Sequence, residues 1–147
     1  MGRQHRVRLV GGAEEPLYLP AENGWAVIRY TRDYAASVLH ELAHWCIAGS
    51  GRRSLPDYGY WYEPPPRDDA ARDRFVQAEL SVQALESLFT EACGRPFRVS
   101  LDDLDGCPRF SGSFSTQVQA EAARLHAAGL GVRARAVVAA LEARRSR

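Results

Sequence analysis

Up to Tyr30 the apolar positions fall in short runs broken by turn residues, and beyond it they recur at helical spacing. Arg6–Val10, Pro16–Pro20 and Trp25–Tyr30 read as short strands, separated by Gly11-Gly12 and Asn23-Gly24. Asn-Gly between two apolar runs predicts a tight hairpin, because both residues tolerate the positive φ that its turn needs. Thr31 then offers an N-cap for a helix from about Arg32 to Ala48, with Gly49 and Gly51 as its stop. The aromatics Tyr58, Tyr60, Trp61 and Tyr62 favour a strand within Leu55–Pro66, ended by the run Pro64–Pro66. From about Arg67 to Cys93 the pattern is helical again. Phe75, Ala78, Val82, Leu85 and Phe89 make a core-facing stripe there, and Gly94 and Pro96 close the helix. Phe97–Ser100 predicts a further short strand and Asp102–Gly112 a loop. Two more helices follow, near Ser115–Ala128 and Arg133–Arg144, broken by Gly129-Leu130-Gly131. No repeat, linker or low-complexity tract interrupts this order. The expectation is an α+β fold in one domain over residues 1–147, with a small sheet and several helices.

Composition adds bounds rather than chemistry. The 147 residues are 46% hydrophobic and 25% charged, enough to bury a core in water. A net charge of +1 gives no reason to expect a direct nucleic-acid partner or a membrane. The basic tail Arg144, Arg145 and Arg147 reads as a solvated helix end. Met1–Arg8 is mostly polar, and no stretch approaches the roughly 20 apolar residues of a spanning helix. Cys46, Cys93 and Cys107 form no CxxC pair and are odd in number, which suits reduced core thiols and a cytoplasmic setting.

The chemistry is concentrated in His40-Glu41-Leu42-Ala43-His44. Two histidines at i and i+4 on a helix share one face and can grip one metal ion, with Glu41 within reach of a metal-bound water. Half of the chain's four histidines sit in this segment. The pattern supplies a pair of ligands and not a reaction. Zinc peptidases use it with the glutamate as base, but they need a third ligand. A common continuation places glycine and then histidine at positions held here by Ile47 and Ser50, so that version is excluded. His5 and His126 lie near the termini and read as surface or capping residues, which leaves a carboxylate as third ligand. Glu79 is the candidate, one position off the apolar stripe of the next long helix, where an unpaired carboxylate would be costly. Glu86 shares that flank, and Asp57 and Glu63 are loop alternatives. Two histidines and a carboxylate suit a non-haem iron oxygenase and a hydrolytic zinc site alike.

The surroundings separate the two. His44-Trp45-Cys46-Ile47-Ala48-Gly49, Arg52-Arg53, Asp57, Gly59-Tyr60-Trp61-Tyr62 and Arg67-Asp68 closely resemble the elongation factor P hydroxylase family. Glu15-Pro16 with Tyr18-Leu19-Pro20-Ala21 agree upstream, as do Glu79, Gln83-Ala84-Leu85, Phe89, Pro96-Phe97 and Val99-Ser100 downstream. The resemblance implies an enzyme that hydroxylates the β-lysylated lysine of elongation factor P, on the lysine side chain. It implies Fe(II) with O₂ held by His40, His44 and Glu79, with zinc able to substitute and no sign of a 2-oxoglutarate site. The implied fold is that of a metal-dependent endoribonuclease of ribosomal RNA maturation, although that group carries a third histidine absent here. Trp45, Tyr60, Trp61 and Tyr62 would then wall the pocket, Asp57, Glu63 and Asp68 would meet the substrate amines, and Arg52 and Arg53 would grip the acidic protein. Glu41 would orient a ligand; in the alternative, a zinc-dependent peptidase or nuclease, it would be the catalytic base. Two features depart from the family: the chain begins almost at the strands, and the run Pro64–Pro66 is its own.

Overall fold

A computed structural model of the chain describes residues 2–32, 34–59, 69–100 and 108–146. A short helix α1 (Gly2–His5) leads into strands β1 (Val7–Ala13), β2 (Leu17–Glu22) and β3 (Trp25–Thr31). Then come α2 (Ala35–Ile47), two 3₁₀ turns (Arg52–Ser54 and Pro56–Gly59), and the helices α3 (Asp69–Ala92), α4 (Pro108–Ala128) and α5 (Val132–Arg145). The described residues are thus α+β, as the periodicity implied.

Sheet order is β1-β3-β2, with β1 parallel and β2 antiparallel to the central β3. The β2–β3 hairpin closes at Asn23-Gly24, where φ is 53° and 84°. Both central residues are left-handed, the turn whose twist matches its strands. Gly11-Gly12 does not form a turn. It lies inside β1, where pairing with β3 shifts between Val10 and Ala13 and Gly12 takes φ 81°. A bulge accommodates the extra residue without ending the strand.

One face of the sheet supplies Val7, Tyr18, Ala26 and Ile28 to the main core, which they share with Leu39, Leu42, Ala43 and Trp45 of α2. Val82, Leu85 and Phe89 of α3 and Ala134 and Val137 of α5 complete this cluster. A second cluster joins Ala84 of α3 to Phe114, Val118 and Ala122 of α4. Helix α2 is therefore held between a sheet and two other helices.

Several local expectations change. Thr31 ends β3 rather than capping α2; its N–H donates to Ser37 Oγ at 3.0 Å, and the helix starts only at Ala35. Pro56–Gly59 is a 3₁₀ turn and not a strand, because Asp57, Tyr58 and Gly59 all take positive φ. Three successive left-handed residues cannot continue an extended ladder. Residues 97–100 form no strand, and Pro108–Gly112, expected in a loop, already belong to α4. Proline suits a first helical turn, where its missing N–H is not needed. Ala78 is exposed, so the apolar stripe of α3 runs through Val82, Leu85 and Phe89 only. The stretch 60–68, with the end of the expected aromatic strand, lies outside the described residues, as does Cys107.

The C-terminal end of α2 is capped from a distance. Arg133 Nη2 donates to Cys46 O and Ala48 O, both at 2.8 Å, and its guanidinium lies 5.3 Å over the Trp45 ring. Arg53 Nη1 donates to the same Ala48 carbonyl. Cations on carbonyls that the helix leaves unpaired satisfy both the hydrogen bonds and the dipole. His5, expected at the surface, instead packs edge-on to Trp45 at 5.7 Å. Arg133→Ala is expected to cost about 2 kcal/mol from the lost charged hydrogen bonds and ring contact, lowering Tm by roughly 4–8 °C. Thermal denaturation followed by circular dichroism checks this, and an unchanged Tm would show that Arg53 suffices as the cap.

Candidate metal centre

The site is built across α2 and α3. Helical spacing puts His40 and His44 on one face of α2, with Nε2 atoms 3.2 Å apart and rings at 74° to each other. On α3 the polar residues Glu79, Gln83, Glu86 and Thr90 are all buried. Their spacing of four, three and four places them along one side of that helix. Glu79 Oε1 lies 3.4 Å from His44 Nε2, and Oε2 lies 3.6 Å from His40 Nε2. One ligand atom from each of His40, His44 and Glu79 lies within 4.8 Å of the others. The candidate triad is brought together.

Glu86 has a different place. Its Oε2 accepts from His40 Nδ1 at 2.9 Å. A proton held on Nδ1 leaves the Nε2 lone pair facing Glu79 and His44, as a metal ligand requires. Spacing from Glu79 put Glu86 on the same flank of α3, but only the packing of α2 against α3 separates the residue at the ligand nitrogen from the one behind it.

The electrostatics call for a cation. Glu41, Glu79 and Glu86 are 8%, 6% and 5% exposed, so three carboxylates are buried with two imidazoles. Burial opposes a charge on His40, but its hydrogen bond to Glu86 and the charges of Glu79, Glu86 and Glu41 outweigh it and lift the ring to about 9. Burial likewise works against ionised Glu79, yet hydrogen bonding to His44 and the charges of the two rings hold its carboxyl below the usual range. Burial prevails for Glu41, which is pushed up despite His44 and His40. Two imidazole nitrogens and a carboxylate held below its usual range, all around one point, fit a divalent metal.

The other candidates are distributed around this centre. Asp57 Oδ1 accepts the Tyr18 N–H at 2.7 Å, tying the left-handed turn to β2. Trp45 is 3% exposed, and its ring contacts are with His5 and Arg133. Arg52 is exposed and reaches Tyr58 O, whereas Arg53 is half-buried against the end of α2 and accepts the Tyr18 hydroxyl on its carbonyl at 2.8 Å. Tyr60, Trp61, Tyr62, Glu63 and Asp68 lie outside the described residues.

Tyr58 was singled out only as a strand aromatic. It is 4% exposed, stacks on Tyr18 at 4.2 Å and lies parallel to the His44 ring at 6.2 Å. Its hydroxyl is buried without a hydrogen-bond partner among the described residues, and burial pushes that phenol up, further raised by Glu41. Gly59 after it takes φ 68°, a conformation that L side chains rarely adopt. No periodicity in the sequence marks such a turn.

Comparison with known proteins gives the family. The elongation factor P hydroxylase family model matches residues 1–146. The chain belongs to that family. It is also 39% identical over 142 residues to the elongation factor P lysine hydroxylase of Haemophilus influenzae, a match covering 95% of this chain and 80% of that one. The family resemblance carried by His40 to Asp68 is thereby established for the chain as a whole.

In the metal-free protein, a ring lifted to about 9 adds stability that is complete below 6.5 and lost as pH rises through about 9. Thermal midpoints without metal should fall across that interval, and Glu86→Gln should flatten the fall. Metal affinity, measured by calorimetric titration, should rise over the same interval as His40 gives up its competing proton.

Proposed function

We propose that this chain hydroxylates elongation factor P on a lysine that already carries a β-lysyl group, with Fe(II) and O₂ at the His40–His44–Glu79 group. The observation that carries the reading is the convergence of those three donors within 4.8 Å in a chain of this family. A two-histidine, one-carboxylate set leaves coordination positions open for O₂, whereas a structural zinc site takes four protein ligands. When bound, the iron would supply the redox chemistry that places one oxygen atom of O₂ into an unactivated C–H bond, with two electrons and two protons from an external reductant taking the other to water. The relatives carry hydroxylase and not hydrolase names, which favours this reading over a zinc peptidase or nuclease.

The chain's own residues have separable tasks in this proposal. His40, His44 and Glu79 hold the metal, and Glu86 keeps the His40 proton on Nδ1. Glu41, whose carboxyl is pushed up by burial, orients the site rather than activating water. Burial of Glu79 and Tyr58 keeps bulk water from the reacting centre. Trp45 braces α2, and Tyr60, Trp61 and Tyr62 are assigned the recognition of the modified lysine. Asp57 and its acidic neighbours meet its two amines, aided by cation–π contacts with those aromatics. Arg52 and Arg53 dock the acidic substrate protein. Residues 1–147 constitute one metal-binding hydroxylase domain working in the cytoplasm, without 2-oxoglutarate. Its α+β arrangement is that of the rRNA-maturation endoribonucleases, without that group's third histidine.

Anaerobic purification followed by elemental analysis should find iron near one per chain. Glu79→Ala should weaken iron binding by more than about 100-fold, beyond the 10–100-fold typical of an outer hydrogen-bond partner, and abolish hydroxylation of β-lysylated elongation factor P. Zinc that resists exchange for iron would reject the oxygenase reading. Glu41→Gln should retain measurable hydroxylation; Glu79→Ala that keeps its iron would transfer the third-ligand role to another carboxylate.

A further inference from the structure

Glu79 is also held from its own helix, at Oε2, the oxygen 3.6 Å from His40 Nε2. Gln83, one helical turn further along α3, is 0% exposed, and its Nε2 lies 3.3 Å from Glu79 Oε2. The same amide nitrogen also donates to Ser100 O, while Gln83 Oε1 accepts the Ser100 N–H at 3.0 Å. That pair of bonds to one backbone residue fixes which end of the amide is which. Oxygen must face the Ser100 N–H, so nitrogen must face the Ser100 carbonyl and the Glu79 carboxylate. A glutamine that tied 97–100 to α3 and nothing more would need no carboxylate on its nitrogen.

We infer that Gln83 is a positioning residue for the metal ligand Glu79, with its amide aimed by the backbone of Ser100. This rests on the reading of His40, His44 and Glu79 as metal ligands. The Gln83 N–H occupies Oε2 and restrains rotation of the carboxylate, leaving Oε1, the oxygen 3.4 Å from His44 Nε2, presented to the metal. It also stabilises the ionised carboxylate, adding to the two rings that lower Glu79. The backbone at Ser100 thus acts on the ligand set through the Gln83 side chain.

Two variants test this, with cobalt(II) as probe because its visible spectrum reports coordination geometry without turnover. Gln83→Met keeps length and most of the volume and removes the amide. Ser100→Pro removes the N–H that aims the amide, from a position outside the metal site. Both should weaken cobalt binding about 10–100-fold, the usual cost of losing an outer-shell partner, and shift the cobalt spectrum. Unchanged affinity and spectrum in both, with only a lower Tm, would overturn the inference and leave Gln83 as a tie for 97–100. If Gln83→Met does not fold, Ser100→Pro decides alone by the same two readouts. A wild-type chain that binds neither cobalt nor iron would reject the metal reading itself, an outcome distinct from variants that bind like wild type.

Discussion

Three buried carboxylates held against two imidazoles are the constraint around which the rest is arranged. Glu41, Glu79 and Glu86 could each lower their free energy by reaching water, and together they repel. They stay because α2 and α3 are locked by apolar packing: Leu39, Leu42 and Ala43 on one helix, Val82, Leu85 and Phe89 on the other, all in one core with the sheet. The cost of the cluster is thus borne by the hydrophobic contacts beside it. The packing that fixes α2 against α3 also fixes the spacing of His40, His44 and Glu79.

The elements outside the two helices mainly keep that crossing in place. β3 supplies Ile28, fully buried, to the core that α2 shares. Arg53 and Arg133 close the carbonyl end of α2, and the Trp45 ring lies under the second of them. The turn at Asp57-Tyr58-Gly59 adopts three left-handed conformations in succession, an unusual expense of backbone energy. It is held by Asp57 on the Tyr18 N–H and by the Tyr18–Tyr58 stack, and it lays the Tyr58 ring parallel to His44. Strain of this kind accompanies sites where a side chain must be carried to one place. Membership of the hydroxylase family gives that place its chemical context.

Among the described residues no helix is long and apolar enough to cross a membrane, in line with the composition. The modest net charge of +1 also puts specific recognition on local groups rather than on the field of the whole chain.

What the sequence determined by itself is what depends on neighbours along the chain. The three strands, the Asn23-Gly24 hairpin, the long helices and the i, i+4 histidine pair all follow from local spacing and turn chemistry, and each is present. Glu79 was legible because an acidic residue at the edge of an apolar stripe demands a partner. The polar stripe Glu79, Gln83, Glu86 and Thr90 has the same helical period as the apolar one beside it, so its burial was readable in principle, but apolar periodicity drew attention past it. Tertiary structure alone decided the division of labour within that stripe. Which carboxylate meets Nε2 and which meets Nδ1 depends on the relative placement of α2 and α3, and no local preference encodes that. The bulge at Gly12, the left-handed turn at Tyr58 and the reach of Arg133 to the end of α2 belong to the same class. Each is a local conformation or long-range hydrogen bond selected by packing between residues distant in sequence, where the energy of the whole fold overrides the preference of the segment.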